Sequence, residues 1–226
     1  AAFLGGEQAS SVLAFAKLNF RALPFDALEP DDLRHARQPR SAGRGLLSDH
    51  SVPCAFGEVD AFVSHAWSDN HAQRYAALSA WAKQFHRHTH RSPQVWLDKA
   101  CISQTRIETS LKCLPVFLSG CERLLILHGP EWSSRLWCIV EAFTFLRVGC
   151  DPSRITLLPL VEDLSSREEF DRRAGSYAQA LCSFDVRKAK CFSERDRSLL
   201  LGAIESGRRC MLYMSRAMRV PAHLGQ

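Results

Sequence analysis

The sequence contains no apolar run near the roughly 20 residues that a membrane-spanning helix needs. Its longest runs, such as Leu124 to Leu127 and Leu199 to Leu201, are brief, so no membrane partner is expected. Nine cysteines, at positions 54, 101, 113, 121, 138, 150, 182, 191 and 210, include no CxxC pair and no zinc-finger spacing. Such scattered thiols in partly apolar segments fit free, buried cysteines in a reducing compartment. The first residues lack the basic region and cleavage pattern of a secretory signal, so a cytoplasmic location is expected. The chain begins with Ala1 and reads as a fragment of something longer. There is no Walker sequence, no GxGxxG and no motif that reads RNA or DNA. Neither sign of charge dominates: 29 basic and 24 acidic residues leave a formal +5. The bases are scattered among acids, which fits a solvated surface with a slight preference for anions; nucleic acid is not the expected partner.

What is present is a chain of 226 residues with 46% hydrophobic and 23% charged residues, ordinary for a folded protein and sufficient for one α/β domain with extensions. Residues Glu7 to Leu23 carry a helical stripe at Val12, Phe15, Leu18 and Leu23. From Pro24 to Cys54 the composition turns to Pro, Asp, Arg, Gly and Ser, a long connection whose Arg34, Arg37, Arg40 and Arg44 face solvent or phosphate. Then short buried strands alternate with helices. Val59 to Ser64 is a strand, and Asn70 to His86 a helix with Tyr75, Leu78, Ala82 and Phe85 on one face. Gln94 to Asp98 is a second strand, and Ile107 to Ser119 a helix that Pro115 should kink or delay. Arg123 to His128 is a third strand, leading to a helix capped by Ser133 or Ser134. Ile155 to Leu160 is a fourth strand and Phe184 to Cys191 a fifth. A capping box at Ser193 and Asp196 opens a last helix, Leu199 to Ile204, closed by Gly207.

Strand-helix alternation predicts a mainly parallel sheet of about five strands with helices on both faces. The boundaries expected are an N-terminal helix and connection over 1–54, the α/β domain over 55–210 and a tail over 211–226. In open sheets of this kind ligands bind beyond the carboxyl ends of the strands. That rule selects Ser64, His65, Ala66, Trp67, Ser68 and Asp69 after the first strand, Asp98 and Lys99 after the second, and His128 and Gly129 after the third.

Among them, Glu141 lies on the third helix, on one face with Trp137 and Phe145. A carboxylate flanked by aromatics is either a functional group with a raised pKa or a surface glutamate paired with Arg135 or Arg147. His65 serves as an acid, a base or a donor, or satisfies a turn. Asp98 caps the next segment, accepts from a ribose hydroxyl or pairs with Lys99. The run His86 to Arg91 alternates His with Arg and fits a solvated edge better than a metal site; no metal is expected.

Three segments also carry a family resemblance. Asp60-Ala61-Phe62-Val63-Ser64-His65-Ala66-Trp67-Ser68-Asp69 resembles the first strand and loop of Toll/interleukin-receptor (TIR) domains. Val95-Trp96-Leu97-Asp98-Lys99-Ala100-Cys101-Ile102-Ser103-Gln104 is similar to their second strand and the loop after it, in the form seen in microbial eukaryotes. Arg135-Leu136-Trp137-Cys138-Ile139-Val140-Glu141 resembles their third-helix motif, with Trp and Glu four residues apart. The resemblance covers roughly Glu58 to Leu160 and implies a three-layer, flavodoxin-like fold. Family members either assemble through TIR-to-TIR contacts as signalling adaptors or cleave the nicotinamide-ribose bond of NAD. The second activity implies Glu141 as the catalytic residue, substrate contacts from Ser64, His65, Trp67, Asp98, Lys99 and Trp137, and NAD as a substrate with no resident cofactor. The loop from Lys99 to Arg106 lacks the Gly or Pro often found in the family's assembly loop, and the region after Asp151 follows the family pattern poorly.

Overall fold

The computed structural model describes residues 9–34, 45–102, 107–149, 151–162, 166–182, 189–191, 197–198 and 201. Helix α1 spans Ala9–Asn19, burying Val12 and Ala16. The helical reading to Leu23 is corrected here: Asn19 Nδ2 donates to the Phe15 carbonyl at 2.8 Å, and the chain then extends as strand β1, Arg21–Pro24. Leu23 precedes a proline, which disfavours helical backbone. Leu18, expected on the packed stripe, is 84% exposed.

The connection that follows is anchored to the domain. It makes three short 3-10 turns, at Phe25–Ala27, Pro30–Leu33 and Leu47–His50, and a two-residue strand β2, Val52–Pro53. Leu28, Leu33 and Leu47 are buried in the same core as the sheet. Arg34 pairs with Asp31 at 2.9 Å, while Arg37, Arg40 and Arg44 lie outside the described residues.

Strand β3, Ala61–His65, is buried along its whole length, as is β5, Leu124–His128, and β6, Ile155–Pro159. Such runs lack polar alternation because both faces of a parallel sheet are covered. Helix α2, His71–Thr89, starts where the Asn70 side chain accepts from the Ala72 and Gln73 amides. Strand β4, Gln94–Trp96, stops before Asp98, which opens the short helix α3, Asp98–Cys101. Pro115 acts as expected: the helical stretch splits into α4, Ile107–Lys112, and α5, Leu114–Ser119, with the proline in the first turn of α5. A 3-10 turn, Trp132–Ser134, precedes α6, Leu136–Arg147. The last described helix, α7, spans Arg167–Cys182.

Among the described residues these strands form one six-stranded sheet in the order β2-β1-β4-β3-β5-β6. The four strands β4-β3-β5-β6 are parallel; β1 and β2 add an antiparallel edge supplied by the N-terminal segment. The protein is thus an α/β domain of the three-layer, flavodoxin-like kind, with one more strand than the alternation predicted. One helical layer holds α1, α5 and α6, with α6 lying on β3; α2 packs toward β5 and β6. Residues of the expected fifth strand other than 189–191 lie outside the described set, as do the Ser193 capping box, Gly207, most of the last helix and the tail. Lys190 makes a parallel bridge to Arg135.

Candidate functional site

Counting only the parallel strands, the spatial order β4-β3-β5-β6 reverses between β3 and β5. At such a switch point the connections leave in opposite directions and open a crevice at the carboxyl edge. Ser64 pairs in register with Ile126 and His65 with Leu127, so His65 and His128 end adjacent strands at that edge. Phe62 pairs with Trp96, and two further residues bring Asp98 level with Ser64.

Trp67 links the first two loops. Its indole Nε1 donates to Asp98 Oδ2 at 2.9 Å, its ring meets the His65 imidazole edge-on at 4.4 Å between centroids, and the cations of Arg74 and Lys99 lie 5.2 and 5.6 Å from its centre. Asp98 Oδ1 also accepts from the Lys99 amide at 2.6 Å, while the cap position of α3 is Leu97 with no side-chain bond, so the expected cap role of Asp98 is corrected and its part is to hold the loop tryptophan. Lys99 Nζ donates to the Asp32 carbonyl at 3.0 Å, tying the N-terminal segment to the site.

Glu141 comes to this group from α6. The residue is partly exposed, but its Oε2 is buried with no hydrogen-bond partner. Burial pushes its pKa from 4.5 to about 8; the polar Ser64 side chain pulls it back, and the charge of Asp98 adds to the rise. The surface reading is therefore replaced: the groups acting on the carboxyl are Ser64 and Asp98, in place of Arg135 or Arg147. Ser64 is fully buried, and its Oγ accepts from Trp132 Nε1 at 3.0 Å.

His65 is buried, its Nε2 has no partner, and its carbonyl accepts from the Cys138 thiol at 3.4 Å. Burial holds its pKa down at about 4 against the opposing pull of Asp98, so the ring is neutral at pH 7. His128 is likewise held at about 4 by burial, its ring 5.1 Å from that of Trp132. Burial also raises Cys138 well above its ordinary range and Cys101 to about 12, so neither is a thiolate at neutral pH. Cys54, Cys101, Cys113, Cys121, Cys138 and Cys191 form no disulfide.

No family model, curated protein or solved structure matches this chain.

The structure brings together Ser64, His65, Trp67, Asp98, Lys99 and Glu141. Trp137 lies one turn before Glu141, partly buried against the core, and among the described residues no ring or polar contact ties it to the others. The expected serine cap of α6 is also corrected. Arg135 occupies the cap position without a side-chain bond, and the Leu136 amide donates to the Lys190 carbonyl at 3.0 Å, while Ser134 Oγ donates to the Glu131 carbonyl. The helix thus begins at Leu136, and Glu141 sits about 7.5 Å along its axis, closer to the sheet edge than a serine-capped start implied. Among the described residues no group of three His, Cys, Asp or Glu side chains is placed to hold a metal ion, and in the run His86 to Arg91 the His88 ring lies 2.7 Å from the Gln84 carbonyl.

Sequence reasoning missed two contributors, Arg74 and Trp132, and selected Asp69 by its place after the first strand. Arg74 is only 1% exposed; Nη2 donates to the Leu33 carbonyl at 2.5 Å and the Trp67 carbonyl at 3.3 Å, whereas Nε and Nη1 are buried without partners. Burial lowers its pKa to about 10. The available signal was its place on the buried stripe with Leu78, Trp81 and Ala82, where a charge needs a reason. Asp69 accepts from the Glu131 amide at 3.0 Å and sits so close to Gly129 that a β-carbon there would lie 2.4 Å from its carboxyl carbon. Trp132 donates from its indole to Ser64, and nothing in its local spacing pointed there.

Proposed function

We propose that this chain is a TIR-type domain that cleaves the nicotinamide-ribose bond of NAD, with Glu141 as the catalytic carboxyl. The observation that carries the reading is the Glu141 carboxyl, its Oε2 buried without a partner, at the crevice between β3 and β5 where Ser64 and Asp98 act on it. A buried carboxyl with an unused oxygen costs stability and has no packing role. A ligand hydroxyl or a developing positive charge supplies the missing partner.

In the reaction the bond between ribose C1′ and the nicotinamide nitrogen breaks, and its electron pair leaves with nicotinamide, neutralising the pyridinium. C1′ becomes oxocarbenium-like, and water adds there, losing one proton to solvent. The Glu141 carboxylate stabilises the positive charge as it moves onto the ribose, the same need that carboxylates meet in glycosidases. In the free protein burial keeps Glu141 largely protonated at pH 7; the cationic nicotinamide favours its ionisation on binding. Asp98, Trp67 and Lys99 form the wall beside it, with the neutral His65 ring available to a ribose hydroxyl through Nε2.

Incubation of the purified protein at high concentration with NAD tests the proposal: nicotinamide release that disappears in Glu141→Gln supports it. If nicotinamide is not released even from assembled protein, and Glu141→Gln leaves self-association intact, the non-catalytic adaptor reading takes its place.

A further inference from the structure

We propose that Arg74 is a positioning residue for Trp67, and through Trp67 for Asp98: its buried guanidinium ties the tryptophan to the Leu33 carbonyl, which makes the N-terminal segment a built part of the candidate site. The inference rests on the reading of Trp67 and Asp98 as a wall of that site, but its test reads their contact without substrate.

Arg74 lies in the first turn of α2 and is almost fully buried. Burying a guanidinium is costly, and among the described residues Asp69 and Asp98 act on it through space, without an ion pair. An apolar side chain fills the same space at lower cost, so the reason for an arginine lies in its bonds. Nη2 donates to the Leu33 carbonyl at 2.5 Å and to the Trp67 carbonyl at 3.3 Å, and Cζ lies 5.2 Å from the centre of the Trp67 ring. One cation thus meets the tryptophan at both its backbone and its ring.

The acceptor side is anchored. Leu33 is fully buried, and its turn, Pro30–Leu33, is closed by Asp32 Oδ2, which accepts from the Glu29 amide at 2.9 Å, and by the Arg34 amide, which donates to the Asp31 carbonyl. Lys99 uses the same turn. Its Nζ donates to the carbonyls of Asp32 and Arg34 at 3.0 and 3.4 Å and lies 5.6 Å from the centre of the Trp67 ring. The successive carbonyls of residues 32, 33 and 34 therefore hold the two cations that lie over Trp67. Trp67 itself is half-buried and is followed by the exposed Ser68, so its loop depends on these anchors to keep indole Nε1 on Asp98 Oδ2 at 2.9 Å. The charge of Asp98 acts on both Glu141 and His65, so a displaced indole changes the surroundings of both. Arg74, beneath the loop, does this without touching substrate.

The experiment is nitrogen-15 NMR of the indole N–H groups in the full chain, with no substrate added. The Trp67 signal is assigned with Trp67→Phe, and the buried indoles of Trp96 and Trp132 serve as references for the fold. Arg74→Met keeps a straight side chain and removes the donors. It should make the Trp67 indole proton exchange with water about tenfold faster, the loss expected of one charge-assisted hydrogen bond, while the references do not change. Arg74→Lys, which restores a cation with donors, should recover most of the protection. An unchanged Trp67 exchange rate in Arg74→Met, or equal acceleration at all three indoles, overturns the proposal. The second result would mean that Arg74 only stabilises the fold. If Arg74→Met does not fold, citrulline at position 74 keeps the shape and removes the charge, and acceleration confined to Trp67 is again the expected result. Should NAD cleavage also hold, kcat/KM should fall about tenfold in Arg74→Met and recover in Arg74→Lys. Acceleration at Trp67 in a protein that cleaves no NAD retains the positioning role and sinks the NAD reading alone; cleavage with Trp67 undisturbed in Arg74→Met sinks this proposal alone.

Discussion

Replacing Glu141 with Gln should make the protein more stable while removing its proposed activity, and the gain should depend on pH in a defined way. In the folded protein the carboxyl titrates at about 8, against 4.5 for an unburied glutamate. Between those values the folded state holds a proton that the unfolded chain has released. Stability from this group therefore falls as pH rises from 4.5 to about 8 and is flat outside that window. At about 1.4 kcal/mol per unit, the penalty is roughly 3 kcal/mol at pH 7 and about 5 kcal/mol above pH 8. Glutamine is close in shape and carries no charge, so it escapes the penalty. For a chain of this length, the pH 7 gain corresponds to a Tm increase of about 6 to 12 °C. Urea unfolding of both proteins at pH 4.5, 7 and 8.5 measures the difference, which should be near zero at the lowest pH and largest at the highest. A Gln variant that is no more stable at pH 8.5 than at pH 4.5, relative to the parent, would refute the assignment of a buried, unpaired carboxyl. Stabilisation on loss of a side chain is the signature of a group kept for function at the expense of the fold.

Three other outcomes follow from the same geometry. With NAD as substrate, kcat/KM should rise with pH to a plateau near 8, because the free protein must lose the Glu141 proton; a flat profile between pH 6 and 9 would exclude Glu141 as the group that titrates. The neutral, buried His65 and His128 titrate at about 4 when folded and near 6.5 when unfolded, so each contributes stability that is lost as pH falls from 6.5 to about 4. Each is worth about 3 kcal/mol over that window, and denaturant titrations of His128→Gln should show a shallower acid slope than the parent. Gly129→Ala places a β-carbon 2.4 to 2.7 Å from the Asp69 carboxyl, which must move and release the Glu131 amide. The cost should be about 1 to 3 kcal/mol by urea unfolding, and a neutral result would mean that Asp69 is not held there.

The layered fold was legible in the amino-acid sequence because burial is written locally. Runs such as Leu124 to Leu127 and Ile155 to Leu158 have no polar alternation, and such strands alternating with helical stripes leave few arrangements other than a parallel sheet. Parallel topology then places every strand end on one edge, which is why Ser64, His65, Asp98 and His128 could be grouped before any contact was known. The antiparallel edge was not legible, since Arg21–Pro24 and Val52–Pro53 are too short to show a period and are paired only by the chain's return. Nor was the start of α6, where two serines offered a local cap and the Lys190 backbone, 54 residues beyond Leu136, supplies the bond. Local pattern named Glu141 and left its state open between surface ion pair and buried acid. The tertiary structure decided that, through burial of the carboxyl first and then through Ser64 and Asp98, 77 and 43 positions earlier. A pKa depends on which groups surround the carboxyl in space, and no periodicity along the chain encodes contacts at that separation.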